Sequence, residues 1–360
     1  MQVNVLWDFR LFSLGYGKRG VGTYTRAVAD AFTELGCPVN LFILGDKDCI
    51  PESPGLKNAN LIQYNCSNWK QDLIKIPAIL KRCKIDIFHY WIALGPLWQI
   101  GIGLYHPCRT VATIYDLGVE NWDFPFLKSV KRSWYWKTQK KLIRSINKVI
   151  CISEASSSEF QTMFTTFQNN TEVIYKPIGS AETKEEIITK EKYFVTLGGS
   201  PHKNLARVIK AFDIFRRSTP DYKLLILGWV NKKEEGLQSV PPDVVFENSM
   251  DKYEEHLKKS AGLIFCSLYE GLGIPPIEGM SCGCPLLLSD IAPLHESCDG
   301  AAVFVDPYDV QMIAEGMMQL AHNNRLWSLS SSQGASRYQV KTMNTGRKLF
   351  EIYVNSWEKK

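Results

Sequence analysis

The sequence predicts an α/β protein in which two doubly wound parallel sheets follow one another along the chain. Three observations support this prediction: the length of 360 residues, the alternation of short apolar runs with amphipathic stretches, and a polar break near the middle. A chain this long exceeds what one hydrophobic core usually accommodates, so two domains are expected. Apolar runs that alternate with helical patterns are typical of parallel sheets covered by helices on both faces.

The first half of the chain alternates from its first residues. Strands are predicted at residues 3–7, 39–44, 61–62, 86–90, 109–115, 148–152 and 172–175. Helices are predicted at about residues 23–35, 69–82 and 128–146, and Ser153 is expected to cap a further helix. The loop before the first of these helices contains Gly15, Gly17, Gly20 and Gly22. We assign residues 1–176 to an N-terminal domain.

The alternation stops at residues 177–192, which are polar, charged and weakly periodic, as linkers are. Beyond this linker, strands are predicted at residues 193–197, 223–227, 244–246, 262–266, 286–288 and 302–305. Helices are predicted at about residues 205–217, 251–260 and 310–321. We assign residues 177–342 to a C-terminal domain. The remaining segment, 343–360, has helical spacing, and this helix can pack back on the N-terminal domain.

Composition narrows the class of protein. The formal net charge of +5 is too mild to argue for nucleic acid by itself. Ten cysteines are scattered without a C-x-x-C pair, which favours reduced thiols over a disulfide framework. Cys282 and Cys284 lack nearby partners that would complete a tetrahedral metal site. With no signal peptide and no apolar run of spanning length, the protein is expected to be cytoplasmic.

One stretch, residues 262–288, carries the chemistry. It is predicted to form a strand, a loop opened by Gly271 and Gly273, a short helix and another strand. Glu270 lies in the loop and Glu278 lies in the first turns of the helix. A glycine loop before a helix N-terminus favours an anion, and two carboxylates suit a ligand that also has hydroxyl groups. Alternatively, Glu270 is a solvated loop residue and Glu278 complements the helix dipole.

Other loops that follow strands are candidates too, because ligands bind beyond the carboxyl ends of parallel strands. Lys203 follows a Gly-Gly turn at the start of a predicted helix, where a lysine can neutralise phosphate. Gly20 and Gly22 precede a helix in the same way. Taken alone, that G-x-G is equally well explained as a tight turn.

The segment from Glu270 to Glu278 resembles the E-x7-E motif of the retaining GT-B glycosyltransferases of family 4. Further resemblances run along most of the chain, at residues 20–26, 113–117, 149–154, 201–205 and 306–307. The resemblance implies the GT-B fold, in which two Rossmann-like domains face each other across a cleft. It also implies transfer of a hexose from a nucleotide-diphosphate sugar with retention at the anomeric carbon, in the synthesis of cell-surface polysaccharide.

The resemblance also implies residue roles. Glu278 should hold the ribose hydroxyls, Glu270 should lie at the hydroxyls of the donor sugar, and Lys203 should hold the diphosphate. The sugar and phosphates should meet the backbone N–H groups of Gly271, Leu272, Gly273 and Ile274. From the N-terminal, acceptor-side domain, Gly20 and Gly22 should approach the phosphates and Asp116 should face the reacting centre. No metal or other cofactor is expected, since Lys203 and helix N-termini can stabilise the leaving diphosphate.

Two positions depart from the family pattern. Tyr115 stands where the family often has histidine, and His202 stands where it often has arginine beside the phosphate-binding lysine. A neutral histidine would leave less positive charge on the diphosphate, for which Arg207 or His89 could compensate. These departures motivate an alternative function, a catalytically weak or inactive homologue that binds nucleotide sugars. An epimerase or phosphorylase would share the architecture, although the E-x7-E segment favours transfer.

Residues 128–144 form a basic, aromatic-rich helix by prediction. Such a helix can lie on an anionic membrane surface with tryptophan at the headgroup level. The acceptor would then be a lipid-linked saccharide rather than a free one, and the protein would work at the inner face of the membrane. Alternatively, the helix is solvated and Trp134, Trp136 and Leu142 pack on the sheet. Nucleic acid is not expected, because no recognised binding module surrounds the basic residues.

Overall fold

The computed structural model describes residues 2–17, 19–64, 69–94, 100–118, 130–167, 170–178, 190–232, 237 and 240–358. The chain divides into two compact units. Unit 1 comprises Met1–Pro177 and Thr342–Lys360, and unit 2 comprises Ile178–Lys341. Each unit contains its own parallel sheet and its own hydrophobic core. The two successive parallel sheets predicted from the alternation of apolar runs are therefore confirmed.

The sheet of unit 1 has seven parallel strands in the order β3-β2-β1-β4-β5-β6-β7 among the described residues. The strands are β1 Val3–Asp8, β2 Val39–Gly45, β3 Asn60–Gln63, β4 Ile87–Tyr90, β5 Arg109–Ile114, β6 Lys148–Cys151 and β7 Thr171–Val173. All four residues of the central strand β4 are buried, as expected of a strand covered on both faces.

The helices of unit 1 that precede the linker are α1 Arg10–Ser13, α2 Gly20–Thr33, α3 Trp69–Arg82, α4 Val130–Leu142 and α5 Glu154–Met163. Ser153 caps α5 as predicted, because its hydroxyl accepts a hydrogen bond from the N–H of Ser156 at 2.9 Å. Residues 128 and 129 of the predicted basic helix lie outside the described residues.

The helix α2 begins at Gly20 and not at about residue 23, so its predicted start was wrong. Gly20 and Gly22 lie inside the first turn of the helix and not in a loop before it. A Cβ atom on Gly22 would lie 2.4 Å from the carbonyl oxygen of Tyr16 and 2.5 Å from that of Gly17. Glycine is required at position 22 because the preceding loop folds directly onto the helix.

Unit 2 has six parallel strands in the order β10-β9-β8-β11-β12-β13 among its described residues. The strands are β8 Glu191–Leu197, β9 Lys223–Leu227, β10 Val244–Glu247, β11 Ser260–Phe265, β12 Leu286–Ser289 and β13 Val303–Val305. The helices are α6 Leu205–Phe215, α7 Tyr253–Lys259, α8 Ile274–Ser281, α9 Ala292–Cys298, α10 Val310–His322 and α11 Asn324–Thr342. Residues 179–189 of the predicted linker lie outside the described residues.

Two of these helices, α9 and α11, were not predicted. The sequence of α11 is rich in serine, which is a poor residue for helix interiors, and its apolar residues lack clear helical periodicity. Tertiary contacts hold it instead. Ser331 Oγ donates to the carbonyl oxygen of Cys284 at 2.5 Å, and a Cβ atom on Gly334 would lie 2.4 Å from Ala301 Cβ.

The C-terminal helix α12, Thr345–Glu358, belongs to unit 1. The Tyr353 hydroxyl accepts a hydrogen bond from Trp7 Nε1 at 2.8 Å and lies 2.6 Å from His89 Nδ1. A Cβ atom on Gly346 would lie 2.0 Å from the carbonyl oxygen of Ala31, so α12 sits directly against α2. The end of the chain is thereby fixed to the first strand of the protein.

The cysteines of the described residues are all free thiols, as predicted. Six of them are buried or packed against the cores, including Cys151 and Cys266 inside or directly after strands. No helix within the described ranges is both long and apolar enough to cross a lipid bilayer.

Candidate functional site

The order of strands in unit 2 creates a place for a ligand. Strands β8 and β11 are neighbours at the centre of the sheet, and the sheet grows away from them in opposite directions. Such a reversal is a topological switch point, and open parallel sheets bind ligands there, beyond the carboxyl ends of the two strands. The loop after β8 ends at Lys203, and the loop after β11 contains Glu270.

An ion pair joins these two loops. Lys203 Nζ lies 2.6 Å from Glu270 Oε1, with side-chain exposures of 17% and 12%. The ammonium group also lies 4.5 Å from the centre of the Phe265 ring. Both groups are partly exposed, so a ligand can replace each partner. Its negatively charged groups can bind the ammonium group, and its hydroxyl groups can bind the carboxylate. The structure therefore brings two sequence-predicted residues, 67 positions apart, into direct contact.

Asn204 holds this arrangement together, and the sequence analysis gave it no role of its own. Its backbone is left-handed, with φ of 63°, and its side chain is almost completely buried. The amide donates to the carbonyl oxygens of Cys266 at 3.0 Å and Pro307 at 2.7 Å. One side chain thus fixes the loops after β8, β11 and β13. An asparagine immediately before a helix and after a Pro-x-Lys turn was the available signal, since asparagine tolerates left-handed backbone.

The glycine loop after β11 is packed tightly against its neighbours. Leu272 and Ile274 are buried, and Ser297 Oγ donates to the carbonyl oxygen of Leu272 at 3.0 Å. Gly273 is the N-cap of α8, with φ of +87°. A Cβ atom on Gly273 would also lie 2.4 Å from Leu294 Cδ2. Both the dihedral angle and the close approach of α9 require glycine at this position.

The second carboxylate, Glu278, occupies a different environment from Glu270. It lies on α8, one helical turn after Ile274, and it is partly exposed. Burial, together with the negative charge of Glu278, raises the pKa of Tyr253 on α7 well above its ordinary value. Glu278 therefore faces the neighbourhood of α7, whereas Glu270 faces Lys203. The two carboxylates are suited to separate groups of one ligand.

His202 adds no charge to the site near neutral pH. Its ring is mostly buried, and Nδ1 lies 2.9 Å from Ser200 Oγ. Burial, assisted by the charge of Lys203, lowers its pKa to about 4. Its main function in the fold is through the backbone, because its carbonyl oxygen accepts a hydrogen bond from the N–H of Leu268 at 2.8 Å. This bond is a further link between the loops after β8 and β11.

Of the two residues proposed to compensate for His202, only Arg207 lies near this loop. Its guanidinium group is 5.1 Å from the Tyr308 ring and donates to Asn204 Oδ1 at 3.0 Å. The proposal for His89 was wrong. That side chain is fully buried in unit 1 with both ring nitrogens engaged, and burial lowers its pKa to about 3.

The remaining predicted residues lie in unit 1, where the first turn of α2 meets the end of β5. The Tyr115 hydroxyl lies 2.6 Å from Thr25 Oγ1 and donates to the carbonyl oxygen of Val21 at 3.2 Å. Tyr115 is therefore used inside unit 1 and does not stand free at the strand end. Asp116 is partly exposed, and its Oδ1 accepts a hydrogen bond from the N–H of Gly118 at 3.0 Å.

Within the described ranges, no group of three or more histidine, cysteine, aspartate or glutamate side chains is arranged to hold a metal ion. Lys203 supplies positive charge at the switch point of unit 2, and Arg207 lies beside it through its hydrogen bond to Asn204.

Two units, each with its own parallel sheet, agree with the GT-B fold of glycosyltransferases. Family models cover both halves of the chain: residues 18–181 match "Glycosyltransferase Family 4" and residues 180–337 match "Glycosyl transferases group 1". The chain therefore belongs to the family 4 glycosyltransferases with the GT-B fold.

Curated relatives are similar over part of their length. The O-antigen chain mannosyltransferase RfbU of Salmonella typhimurium is 26% identical over 62% of this chain and 66% of the relative. The O-antigen chain mannosyltransferase B of Escherichia coli is 25% identical over 38% of each chain. The matches thus span less than two thirds of these relatives.

Solved structures resemble this chain over nearly its whole length. The sucrose-phosphate synthase of Thermosynechococcus elongatus has a TM-score of 0.72 at 15% identity and is covered completely, as is this chain. WaaG, a glycosyltransferase involved in lipopolysaccharide biosynthesis, has a TM-score of 0.70 at 14% identity over 98% of this chain and 99% of its own. At this level of identity the similarity shows the fold alone.

Proposed function

We propose that the protein is a retaining glycosyltransferase that moves a hexose from a nucleotide-diphosphate sugar to a saccharide or lipid-linked saccharide, in cell-surface polysaccharide synthesis. The observation that carries the proposal is the Lys203–Glu270 pair, held at the switch point of unit 2 beside a glycine loop and a helix that bears Glu278. The O-antigen mannosyltransferase function of the relative RfbU supports the polysaccharide context.

Donor binding requires Lys203 and Glu270 to exchange partners. A diphosphate carries more negative charge than a single carboxylate, so it competes effectively for the ammonium group. Glu270 is then free to accept hydrogen bonds from hydroxyl groups of the donor sugar. As the sugar leaves, charge develops on the diphosphate, and a lysine already placed there stabilises it without reorganisation.

The glycine loop supplies neutral donors to the same ligand. The N–H groups of Gly271, Leu272, Gly273 and Ile274 are assigned to the sugar and phosphates, at the positive end of the α8 dipole. The side chains of Leu272 and Ile274 are apolar and buried, so the polar donors that these residues offer are their backbone N–H groups. With these donors and Lys203, the transfer needs no metal ion.

Unit 1 is assigned the acceptor. Gly20 and Gly22 are assigned to the phosphates and Asp116 to the reacting centre. Asp116 is partly exposed at the end of β5, so its carboxylate is accessible from solvent. The hydroxyl of Tyr115 is engaged by Thr25, so Asp116 is the polar group of this strand end that we assign to the chemistry.

The reaction is tested by incubating the protein with a panel of UDP- and GDP-hexoses and candidate acceptors. We expect release of the nucleoside diphosphate and a product whose anomeric configuration, read by NMR, matches that of the donor. Inversion would reject the retaining mechanism. Donor binding without release under all acceptors would favour the alternative of a nucleotide-sugar-binding homologue, which the neutral His202 motivates.

The ribose assignment has its own test. Glu278→Gln removes the charge and preserves the shape, so we expect affinity for the nucleoside diphosphate to fall about ten-fold or more, as for the loss of a hydrogen bond to a charged group. Isothermal titration calorimetry measures the change. Glu315→Gln, an exposed glutamate on α10, is the matched control. Unchanged affinity in Glu278→Gln would reject the ribose role.

The membrane contact of α4 also belongs to the proposal. Trp136 and Tyr135 are buried, whereas Trp134 is 54% exposed and stands next to Lys70, whose Nζ is 5.1 Å from the ring centre. Ile74 on the neighbouring helix is 74% exposed. The alternative in which both tryptophans pack on the sheet is therefore wrong for Trp134. Exposed apolar groups beside basic ones suit an anionic bilayer surface, at the inner face of the membrane.

Flotation with liposomes tests this contact. Changing Lys140, Lys141 and Arg144 to glutamine should reduce flotation with anionic vesicles, because each basic residue contributes about 1 kcal/mol at such a surface. The control changes three exposed cations of unit 2, Arg217, Lys223 and Lys252, and so alters the net charge equally. If both variants float like the wild type, or both lose flotation equally, the contact through α4 is rejected.

A further inference from the structure

Trp229 is an exposed aromatic residue at the carboxyl edge of the unit 2 sheet. It follows β9 directly, and its side chain is 64% exposed, the largest value among the tryptophans whose side chains are described. Single exposed apolar residues are common on protein surfaces and need no explanation by themselves. Trp229 differs from such residues in its position at the sheet edge and in the way the backbone holds it.

The backbone places Trp229 beside the loop that leads to Lys203. The N–H of Gly198 donates to the carbonyl oxygen of Leu227 at 2.9 Å. A Cβ atom on Gly198 would lie 3.5 Å from the carbonyl oxygen of Trp229 and 2.3 Å from Val230 Cγ2. The loops after β8 and β9 are therefore packed against each other with no room for a side chain. Neighbouring strands lie about 4.8 Å apart, so the two loops belong to one surface.

The backbone also turns at this point. Gly228 has φ of +91°, a conformation that favours glycine, and its N–H donates to the carbonyl oxygen of Glu247 at 2.9 Å. A Cβ atom there would lie 4.0 Å from Met250 Sδ. The left-handed residue directs the chain out of the sheet immediately before the indole. A methionine from the next loop, after β10, borders the same place.

The ring of Trp229 is uncovered within the part of the chain that the structure describes, unlike that of Tyr308. Tyr308 is 59% exposed beyond β13 at the same edge, but the guanidinium group of Arg207 covers its ring at 5.1 Å. Among the described residues, no aromatic ring or cation lies against the ring of Trp229. The nearby cation Lys232 is placed over Phe246 instead, with Nζ 4.2 Å from the ring centre. Trp229 thus presents a planar apolar face next to the site.

We propose that Trp229 is the platform on which the base of the donor nucleotide stacks; this rests on the proposed function. A nucleoside diphosphate held by Lys203 at one end has a planar aromatic base at the other. The loop that presents Trp229 is adjacent to the loop that presents Lys203, as such a ligand requires. Every base has an aromatic face, so stacking contributes affinity without selecting the base. Trp229 therefore strengthens binding of uracil and guanine nucleotides alike.

Isothermal titration calorimetry of UDP, GDP and inorganic diphosphate tests the platform. Trp229→Leu removes the ring and keeps an apolar side chain. We expect it to weaken the tighter-binding nucleotide by about 5- to 100-fold, the range measured for loss of base stacking. Trp229→Phe should recover most of the affinity. Inorganic diphosphate, measured directly or by competition, should bind all variants equally because it has no base.

Tyr105→Leu is the matched control, since it removes a ring that is 67% exposed in unit 1. Equal nucleotide affinity in the wild type and Trp229→Leu overturns the platform and leaves the donor assignment intact. Equal loss of nucleotide and inorganic diphosphate also overturns it, because the damage would then lie in the phosphate loop. A loss seen with nucleotide sugars but not with the free nucleotides would assign the ring to the sugar instead. Failure of the wild type to bind any nucleotide overturns the platform and the donor assignment together.

Discussion

At the residue scale, Lys203 pairs with Glu270 in the protein alone and with the donor diphosphate in the proposed reaction. Its pair with Glu270 satisfies both charges at a site that is only partly open to water. The same pair opposes donor binding, because the diphosphate must displace a carboxylate. Before the donor binds, Glu270 competes with it for Lys203; after the donor binds, Glu270 contacts the sugar. Its removal should therefore affect binding and turnover in opposite directions.

Glu270→Gln separates these two effects. Without the carboxylate, Lys203 is available from the start, so we expect the nucleoside diphosphate alone to bind a few-fold more tightly, in proportion to a pair worth about 1 kcal/mol. Transfer should fall by about 100-fold or more because the sugar loses its charged partner. Calorimetry and initial rates measure the two quantities.

The matched control for this change is Glu254→Gln. Glu254 is exposed and forms an ion pair with Lys258 on the surface of α7. This variant should leave both quantities unchanged. Weaker nucleotide binding in Glu270→Gln would show that the carboxylate supports the diphosphate site instead of competing for its lysine.

At the element scale, the junction between the β11 loop and α8 depends on one glycine. Gly273 combines a positive φ with a neighbour, Leu294 on α9, that leaves no space for a side chain. The β11 loop, α8 and α9 are thereby packed together at the N–H groups that we assign to the donor. The helix α9, which the sequence analysis did not identify, sets the shape of the loop that it did identify.

Gly273→Ala should therefore disturb both stability and binding. Strain in the backbone and the clash with Leu294 together should lower the free energy of unfolding of unit 2 by about 1–3 kcal/mol. Nucleotide affinity should fall as the N–H groups move. Thermal unfolding and calorimetry measure these changes.

Gly15→Ala isolates the backbone contribution, because Gly15 has φ of +77° and nothing within 4 Å of an added Cβ atom. It should destabilise less than Gly273→Ala. The double variant Gly273→Ala with Leu294→Ala, which removes the clash but not the strain, helps to divide the two effects. Equal destabilisation by Gly15→Ala and Gly273→Ala would mean that the approach of α9 is unimportant.

At the scale of the whole molecule, each unit contains a histidine that is kept neutral near pH 7 because it is fully buried, as His89 is, or mostly buried, as His202 is. Burial lowers the pKa of His89 in unit 1 to about 3 and that of His202 in unit 2 to about 4. In the unfolded chain both titrate near 6.5. Between the folded and unfolded values, the unfolded state binds more protons than the folded state. Stability is therefore fully present above about pH 6.5 and is lost as the pH falls.

We expect the free energy of unfolding of each unit to decrease by up to about 1.4 kcal/mol per pH unit per histidine below about pH 6. Calorimetric unfolding between pH 7.5 and about pH 4.5 measures the slope. His202→Asn should flatten the slope of the unit 2 transition and leave that of unit 1 unchanged. If the slope is the same in both proteins, titration of His202 does not contribute.

How much the sequence predicts depends on whether a residue acts locally or across the fold. The strands were predicted to within about two residues because their apolar runs are continuous, and the α5 cap was predicted because Ser153 acts on its own helix. The start of α2 was not, because the glycines at its start are required by packing against the preceding loop. The compensating role considered for His89, and the alternative in which Trp134 packs on the sheet, failed for the same reason, since burial depends on neighbours distant in sequence.

Sequence patterns are enough to predict the two α/β units, the family, and the local unit of strand, glycine loop and helix that carries Glu270 and Glu278. These follow from patterns within about thirty residues, where propensity and spacing act. The folded chain is needed to see that Lys203 pairs with Glu270, that Asn204 ties three loops, and that Trp229 stands exposed beside them. Contacts between the ends of different strands depend on strand order, and strand order is fixed by packing of the whole sheet rather than by any one segment.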